Sequence, residues 1–424
     1  MTSPVIGYAG MTHLGLSSAV AAAEKGFETV CYDPDSQQIA KLARNEVSIV
    51  EPNLCELLEK NRCRIKFTAD LQELTSCDVV YLAADVPTDD LAQSDLGPID
   101  ALISQVDAGL RPDAVMIVLS QVPPGFTRGR LRNVRPLYYQ VETLIFGQSI
   151  ERALYPERFI VGCAEPKEPL PPALAQFLES FGCPILPMRY ESAELAKISI
   201  NMCLVASVSV ANTLAELCEN IGADWSEIVP ALKLDKRIGQ YSYLAPGLGI
   251  AGGNFERDLA TVCNLADRNG TDAGVVRAWV ANSHYRRDWA LRTLHRETLS
   301  RVDDPVIAVL GLAYKQDTNS TKNSPSIALL EHLKPFRVRV FDPVVSASAA
   351  PNPHYHGAAS ELEACEGADV LAVMTPWRQF KHLNLREVAK RMRDRIVLDP
   401  YGVFKAEACR DAGLSYHTLG VAAR

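Results

Sequence analysis

Two polar residues in one predicted helix have the spacing of a shared chemical site. Lys197 and Asn201 lie four residues apart in a long, largely apolar segment, and residues at this spacing share one face of an α-helix. Their side chains can therefore converge on one substrate oxygen. Because a lysine is costly to bury among apolar side chains, Lys197 is expected to have a partner or a function. The alternative is a surface lysine whose aliphatic stem covers apolar surface.

A second group of residues, near the start of the chain, has the layout of a dinucleotide-binding turn. The strand-like run 4–9 leads into a segment bounded by Gly10 and Gly15 that opens a helix, and Asp33 closes the next strand-like run. Glycine permits the tight turn, the helix N-terminus faces the cofactor pyrophosphate, and the acid binds ribose hydroxyls. The pattern predicts an NAD site, since a carboxylate would repel the 2′-phosphate of NADP.

Thr12 is the irregular residue of this turn. It stands where a second glycine usually lets the backbone approach the pyrophosphate. We therefore expect either a shifted turn or a cofactor that sits slightly higher. Thr12 and Leu14 are assigned to the cofactor site together with the two glycines and the acid.

Strand-like and helical runs alternate in two parts of the chain. From residue 4 to about residue 162, amphipathic segments separate the β-rich runs VIGYA, ETVCYD, VVYLAAD, VMIVLS and RFIVG, which is typical of a parallel sheet. The pattern is helical from Glu191 to about Thr298, and the alternation restarts at Pro305 with VIAVLGLAY, VRVFD, VLAVMTP and IVLD. We expect an α/β fold in which two Rossmann-like parallel-sheet domains are joined by a helical core.

Composition argues against several classes of function. The 424-residue chain is 47% apolar, carries a formal charge of −8 and has a pI near 5.6. Such a length supports more than one domain, and an acidic surface lacks the clustered cations that bind nucleic acid. The stretch from Leu195 to Leu217 contains Lys197, Asn201 and Asn212, so we interpret it as a buried helix and not as a membrane span. With no leader recognised either, we expect a cytoplasmic protein.

The cysteine and histidine patterns predict neither disulfides nor a metal site. The 11 cysteines are scattered, odd in number and never form a C-x-x-C pair, which suits reduced thiols in a cytoplasm. His354 and His356 are close in sequence, but no carboxylate or cysteine accompanies them at a ligand-like spacing. We expect no metal.

An ordered series of motifs along nearly the whole chain resembles the UDP-glucose/GDP-mannose dehydrogenase family. The segment AELAKISINMCLVASVSVANTLAELCENIGAD is similar to the middle helix of that family, whose pattern is A-E-x-x-K-x-x-x-N. EPNL, SQVPPGFT, YPERFIVG, RIGQYSYLAPGLGIAGG, GLAYKQDTNSTKNSP, VFDP and ADVLAVMTPW follow in the family's order. The resemblance implies an NAD-binding domain at 1–190, a helical dimerisation domain at 191–300, a nucleotide-sugar-binding domain at 301–424, and a homodimer.

The same resemblance implies roles for individual residues. Lys197 and Asn201 correspond to residues that hold the substrate oxygen, and Asp258 to one that orients a water as proton relay. Further residues are assigned to the cofactor: Val86, Pro87, Gln121, Arg257 and Lys322. Others are assigned to the nucleotide sugar: Arg237, Tyr241, Tyr243, Gly249, Gly252 and Lys315. Arg237 resembles an arginine that reaches the partner subunit's substrate; the alternative is a surface charge at a helix end.

The sequence departs from the family pattern at the nucleophile. The family motif G-G-S-C-F-x-K-D provides a cysteine that adds to the intermediate aldehyde, and the corresponding segment here is Gly252-Gly253-Asn254-Phe255-Glu256-Arg257-Asp258. The amide of Asn254 has no accessible lone pair on nitrogen, so it cannot form the covalent acyl intermediate. Cys263 lies nine residues after Asn254 and would need a rebuilt loop to reach the same point.

Other departures affect the second oxidation and the sugar pocket. The family segment P-E-F-L-R-E-G falls on 141–147, so Glu142 keeps its first glutamate as a catalytic candidate while Phe146 replaces the second, which is linked to thioester hydrolysis. Gln121 replaces the threonine that helps to hold the catalytic water. Asp399-Pro-Tyr-Gly402 replaces D-G-R-N and loses an arginine near the sugar. The residues that would form and hydrolyse the thioester in the second oxidation are therefore expected to be missing.

Three functions remain open at this point. The leading hypothesis is NAD-dependent oxidation of a UDP- or GDP-linked sugar at its carbon-6 hydroxyl, limited to one two-electron step. The product would be a ketone from a heptose or octose, or an aldehyde, for sugar or antibiotic biosynthesis. The alternatives are a four-electron enzyme that makes a uronic acid, and a non-catalytic relative that binds a nucleotide sugar and regulates a partner.

Overall fold

A computed structural model describes residues 3–49, 51–89, 93–130, 137–251 and 253–422. The chain divides into two units, Met1–Ile200 and Asn201–Arg424. The division into three domains at residues 190 and 300 stays a prediction, because each unit combines a sheet with part of the expected helical core.

Eight strands form the sheet of the first unit. They are β1 (Ile6–Ala9), β2 (Thr29–Tyr32), β3 (Ile65–Thr68), β4 (Val79–Leu82), β5 (Val115–Val118), β6 (Leu137–Gln140), β7 (Phe159–Cys163) and β8 (Ile185–Arg189). The order is β3-β2-β1-β4-β5-β6-β7-β8, and neighbours are parallel except for the antiparallel pair β6 and β7. The strands β1, β2, β4 and β5 are buried at every residue, as expected for a sheet covered on both faces.

The helices of this unit cover the sheet. They are α1 (His13–Glu24), α2 (Ser36–Ala43), α3 (Leu54–Lys60), α4 (Gly97–Gly109), α5 (Phe126–Gly129), α6 (Ser149–Leu154) and α7 (Pro172–Glu179). A 3-10 turn at Leu71–Ser76 precedes β4. The helix α8 (Tyr190–Ile221) begins in the first unit and ends in the second.

The second unit combines four central helices with a second sheet. The helices α9 (Trp225–Leu234), α10 (Asn254–Asn269), α11 (Gly274–Arg287) and α12 (Trp289–Leu294) are followed by a π-helical turn at His295–Leu299. The strands are β9 (Val306–Leu310), β10 (Arg337–Phe341), β11 (His356–Gly357), β12 (Val370–Val373), β13 (Ile396–Leu398) and β14 (Ser415–His417). Around them lie α13 (Pro325–His332), α14 (Glu361–Ala364), α15 (Leu385–Arg391) and α16 (Ala406–Asp411).

This second sheet is parallel throughout, with the order β11-β10-β9-β12-β13-β14. Both sheets reverse their strand order beside the first strand of the unit, between β1 and β4 and between β9 and β12. Ligands of such sheets bind beyond the carboxyl ends of the strands at the reversal point. The predicted fold class, two Rossmann-like sheets with a helical middle, is confirmed.

The long helix α8 carries the residues singled out first in the sequence. Among the described residues it is long and apolar enough to cross a membrane by length and composition, and 39% of its most apolar window is buried. Core helices of soluble proteins pass the same test. Gly222, with φ of +80°, follows its last residue and supplies the left-handed conformation that commonly ends a helix.

His417 at the end of β14 is expected to make stability depend on pH. The residue is buried, and burial lowers its pKa, opposed by the charge of Glu297 and assisted by that of Arg296. Because the folded pKa lies below the unfolded one, this group contributes stability above about pH 6.5 that is lost as the pH falls. Between pH 7 and pH 5 the Tm of the wild type should fall further than that of His417→Gln, by on the order of 2 °C.

The matched control for this experiment is His354→Gln, which changes an exposed loop histidine. Its Tm should follow that of the wild type at every pH. Parallel Tm curves for the wild type and His417→Gln would contradict the prediction.

Candidate active site

The glycine turn of the first unit is dictated by close backbone contacts. Gly10 has φ of +96°, and a Cβ added there would lie 2.9 Å from the carbonyl oxygen of Ala83. A Cβ on Gly15 would lie 2.0 Å from the carbonyl oxygen of Gly10. Both positions therefore exclude a side chain, and α1 can begin directly above the end of β1.

Thr12 fits into this turn because its hydroxyl points into the protein. Oγ1 donates to the carbonyl of Ala83 over 2.8 Å and accepts from the amide of Gly15 over 3.3 Å. Thr12 is thus the N-cap of α1, a position that favours a side-chain oxygen. The turn keeps its course without the second glycine, and Leu14 lies in the first turn of the helix.

Asp33 is held by the turn and retains capacity for ribose hydroxyls. One carboxylate oxygen accepts from the amide of Met11 over 2.7 Å and the other from the amide of Asp35 over 2.9 Å. An ionised carboxylate offers about four lone-pair positions, so these bonds orient the group without saturating it. Three other cofactor candidates follow strands at the same sheet edge: Val86, Pro87 and Gln121.

Glu51 and His13 form a cluster that the sequence reasoning missed. The buried Glu51 carboxylate accepts from His13 Nε2 over 2.8 Å and from the amides of Gly147 and Ser149 over 2.8 Å and 3.2 Å. The His13 ring stacks on Phe146, with ring centroids 4.5 Å apart and planes 10° from parallel. The only sequence signal was the motif EPNL, which contains Glu51 and carries no role by itself.

The structure brings Glu142 and Lys197 together in the first unit. Glu142 follows β6, and protein surrounds its carboxyl group although part of the residue is accessible. Burial raises the pKa of Glu142, while the Thr143 amide and the charges of Lys197 and Arg152 oppose that rise. Lys197 therefore has an acidic neighbour. This is the partner expected for a lysine in a largely apolar helix.

A buried polar group of the second unit joins α8 to α10. Asn201 Nδ2 donates to Asp258 over 2.5 Å, and Arg257 Nε lies 3.4 Å from the other carboxylate oxygen of Asp258. Asn201, Arg257 and Asp258 are 6%, 8% and 1% exposed. The pairing fixes the amide of Asn201 and compensates the buried charge of Asp258. The sequence groups Asn201 and Asp258 with Lys197 and assigns Arg257 to the cofactor; the structure places Arg257 beside Asp258.

Asn254 is the first residue of α10 and is exposed to solvent. Cys263 is nine residues further along the same helix, roughly 13 Å away along its axis, and packs against a buried cluster that includes Leu259. Cys203 is exposed on α8. It follows Asn201 by two residues, so the two side chains point to nearly opposite sides of the helix.

The predicted substrate residues fall into separate places of the second unit. Arg237 is 90% exposed after α9 and pairs with Asp235, with Nη2 2.6 Å from the carboxylate. Tyr241 and Tyr243 continue this exposed segment. Gly249 has a packing role, since a Cβ there would lie 2.3 Å from the carbonyl oxygen of Ser283. Gly252 lies outside the described residues.

Two lysines flank the carboxyl edge of the second sheet. Lys315 follows β9, with Nζ 5.7 Å from the centre of the Tyr314 ring. Lys322 lies beside the start of α10, with Nζ 3.8 Å from the Cβ position of Gly253. A cation and a helix N-terminus both favour an anionic ligand. These positions suit phosphate groups.

A cavity of about 820 Å³ opens at the carboxyl ends of β13 and β14. Its lining includes Trp225, Tyr243, Tyr401, Phe404, Tyr416 and Arg410. Beneath it, the fully buried Asp399 accepts from the amide of Phe404 over 2.8 Å and from the Tyr416 hydroxyl over 2.9 Å. Burial raises the pKa of Asp399, and these donors oppose the rise. The loop that carries Tyr401 is therefore fixed at its base.

Metal-ligating side chains do not gather in the part of the chain that the structure describes. No group of three or more His, Cys, Asp or Glu residues is placed there to hold an ion. All eleven cysteines are free thiols.

A glycine turn of the dinucleotide-binding type in one unit and a second Rossmann-like sheet in the other are typical of a nucleotide-dependent dehydrogenase. Profiles of the UDP-glucose/GDP-mannose dehydrogenase family match three regions: the NAD binding domain at 5–175, the central domain at 191–284 and the UDP binding domain at 308–406. The chain belongs to this family. NAD as cofactor and a nucleotide sugar as substrate class are thereby confirmed.

Individual relatives are similar in sequence to this chain over nearly their full length. UDP-glucose 6-dehydrogenase of Pseudomonas aeruginosa is 30% identical over 97% of this chain and 96% of its own. UDP-glucose 6-dehydrogenase of Rickettsia typhi is 27% identical over 98% of this chain and 99% of its own. The solved structure of a UDP-glucose dehydrogenase from Pyrobaculum islandicum has a TM-score of 0.84 at 24% identity, covering 98% of this chain and 97% of that one. This last likeness shows the shared fold.

Proposed function

We propose that the protein oxidises the carbon-6 hydroxyl of a UDP- or GDP-linked sugar once, with NAD, and releases a ketone or an aldehyde. The observation that carries this proposal is the amide of Asn254 at the first residue of α10, where the family motif has its cysteine. Without a thiol, the aldehyde cannot be held as the covalent adduct from which a second hydride leaves. Neither Cys263 nor Cys203 is oriented to replace it.

The residues of the first hydride transfer are retained. Bound NAD would rest on the first turn of α1 and on Asp33, and would supply the hydride acceptor. Lys197 and Asn201, which lie one helical turn apart on α8, both contact the substrate oxygen. Asp258, anchored by Asn201 and Arg257, takes up the hydroxyl proton through a water. Glu142 stabilises the charge of the half-buried Lys197.

A secondary alcohol at carbon 6 suits this site best. Oxidation of such an alcohol, in a nucleotide-linked heptose or octose, gives a ketone whose carbonyl carbon bears no hydrogen. No second hydride can then leave, so a cysteine would have no use. The replacement of a family arginine by Tyr401 in the cavity wall supports a sugar that differs from the usual hexoses.

The carboxyl edge of the second sheet supports a place for the nucleotide. Lys315 follows β9 and the aromatic cavity lies at β13 and β14. Two strand spacings, about 10 Å, separate β9 from β13, which a nucleoside diphosphate can span. We place the diphosphate at Lys315 and the nucleoside toward Tyr243 and Tyr401.

A second copy of the chain is the proposed partner, in the cytoplasm. Val210, Leu214, Leu217 and Ile221 are 40–65% exposed and recur along one face of α8 at helical spacing. Such a stripe is typical of a face covered in an assembly. In that dimer Arg237 would reach the partner's substrate.

A four-electron oxidation to a uronic acid is the second candidate. The observation that favours it is the name of the matching relatives, UDP-glucose 6-dehydrogenase. It would require a hydrated aldehyde as the second hydride donor in this chain. A non-catalytic relative is the third candidate, and it predicts that loss of Lys197 changes no turnover.

The deciding experiment is the stoichiometry of NADH per sugar. Purified protein is given NAD and limiting UDP- or GDP-linked sugars, hexoses and heptoses among them, and products are identified by mass spectrometry. We expect one NADH per sugar with a carbonyl product. Two NADH per sugar with a uronic acid would refute the single oxidation. A matched variant, Asn254→Cys, is expected to form a covalent thioester with a nucleotide hexose and a second NADH per enzyme, detected by mass spectrometry, because it restores the thiol while Phe146 and Gln121 still replace the hydrolytic residues.

A further inference from the structure

An aromatic pair stands at the carboxyl edge of the first sheet, where the family pattern would place a carboxylate. His13 begins α1, directly after the glycine turn, and Phe146 lies in the loop between β6 and α6. Their rings stack with centroids 4.5 Å apart and planes 10° from parallel, within the range of favourable aromatic stacking. Neither residue has a role in the proposed proton transfer.

The position of the pair follows from the strands that carry it. His13 follows β1, Phe146 follows β6, and the carboxylate of Asp85 beyond β4 is within electrostatic range of His13. The sheet reverses its order between β1 and β4, and a dinucleotide crosses the crevice at such a point. The loop of Phe146 also contains Glu142, which neighbours Lys197. The pair therefore lies at the edge of the sheet where a dinucleotide would bind.

Glu51 holds the two stacked residues in position. The same buried carboxylate bonds His13 Nε2 and the amides of Gly147 and Ser149, which follow Phe146 in the chain. One acid thus holds both halves of the stack. The Phe146 ring remains 49% exposed, so it offers an apolar surface at the carboxyl edge of the sheet.

We propose that the His13–Phe146 stack is a water-excluding wall of the hydride-transfer site, which keeps the carbonyl product from being hydrated. The inference rests on the proposed single oxidation and explains how it stops with a primary alcohol. An apolar ring offers no hydrogen bond to a water, whereas a carboxylate at the same place would hold one.

The step that the wall prevents is a balanced second oxidation. Water adds to the aldehyde carbon, a C–O bond forms, and proton transfer gives a gem-diol. The diol then loses hydride to a second NAD and a proton to solvent, and becomes the acid. The relay water proposed at Asp258 serves the oxygen, and the wall excludes a second water from the carbonyl carbon. Without that second water the first of these events does not occur, and the aldehyde leaves intact.

The test uses the whole protein with NAD and UDP-glucose or GDP-mannose in H2(18)O. The variant Phe146→Ser removes the ring and adds a group that binds water. We expect NADH per sugar to rise from one toward two, with 18O in a uronic acid, while the wild type stays at one. His13→Ser removes the other half of the stack and should raise the ratio in the same direction. It also keeps the test available if Phe146→Ser does not fold.

Two control variants separate the wall from general damage. Phe146→Leu keeps an apolar side chain and should stay near one NADH per sugar. Tyr155→Ser alters a 73% exposed aromatic residue outside the stack and should leave both the ratio and the rate unchanged. The product ratio does not depend on how much enzyme is active, so a merely structural effect on kcat would not move it.

The outcomes distinguish this inference from the function on which it rests. A wild type that makes acid with two NADH refutes the single oxidation itself. A wild type at one NADH, with folded Phe146→Ser and His13→Ser also at one, overturns the wall and leaves the single oxidation standing.

Discussion

Replacing Lys197 with methionine is expected to lower kcat by about 10²- to 10³-fold, the usual cost of removing one group that stabilises a developing oxyanion. The lysine neighbours the buried carboxyl group of Glu142 and shares a face of α8 with Asn201. Without it, the developing charge on the substrate oxygen loses its cation in a partly buried site. NADH formation with saturating NAD and nucleotide sugar measures the effect.

Two further variants make this result specific. Lys197→Arg keeps a positive charge beside Glu142, but the planar guanidinium places its donors differently from an ammonium group, so its kcat should also be low. Lys390→Met changes an exposed lysine of α15 and should retain full kcat. A Lys197→Met protein that folds, binds NAD and turns over within tenfold of the wild type would remove Lys197 from the mechanism and favour a binding role.

Long apolar strands were predictable because burial on both faces leaves a continuous signal. All nine β-rich runs recognised in the sequence contain strands of the two sheets. The strands that were missed are short, exposed or mixed in character: β3, β6, β8, β11 and β14. In β8 each residue is intermediate or exposed, and β11 has two residues. Their pairing comes from neighbouring strands and not from local pattern.

The two glycine turns show where a motif underdetermines a role. Gly311 repeats Gly10, with φ of +96° in both, and Asp342 stands where Asp33 stands in the first unit. Yet Asp342 accepts from four backbone amides and from Trp377 Nε1, so the protein itself uses its oxygens. A strand, a glycine and an acid therefore predict the turn, while partners distant in sequence decide whether the acid binds ligand.

The candidate site was predictable where its residues lie on the same helix. Lys197 and Asn201 were grouped by helical spacing alone. The pairing of Asn201 with Asp258 spans 57 residues and that of His13 with Phe146 spans 133 residues, and local spacing says nothing about such contacts. The resemblance to a family supplied the first pair; the second depends on Phe146, at which this chain departs from the family pattern.

Replacing Arg286 with alanine is expected to lower the free energy of unfolding by roughly 3–5 kcal/mol, as when one partner of a buried ion pair is removed. Arg286 is fully buried on α11. Its guanidinium lies 3.2 Å from Glu216 and 3.1 Å from Glu219, both on α8. Glu219 also accepts from Trp289 Nε1 and from the amide of Gly420. The loss would leave Glu219 without its cation, whereas Glu216 keeps Arg292 at 3.7 Å.

Urea unfolding measures this loss, with Arg287→Ala as the matched control. Arg287 is the next residue on α11, is 37% exposed and lies 3.6 Å from Asp288, so its removal should cost about 0–1 kcal/mol. Because Gly420 is tied to Glu219 and Val421 lines the cavity beside β14, Arg286→Ala should also increase amide exchange at the C-terminal segment. Equal unfolding free energies for the two variants would contradict the predicted cost of leaving Glu219 without Arg286.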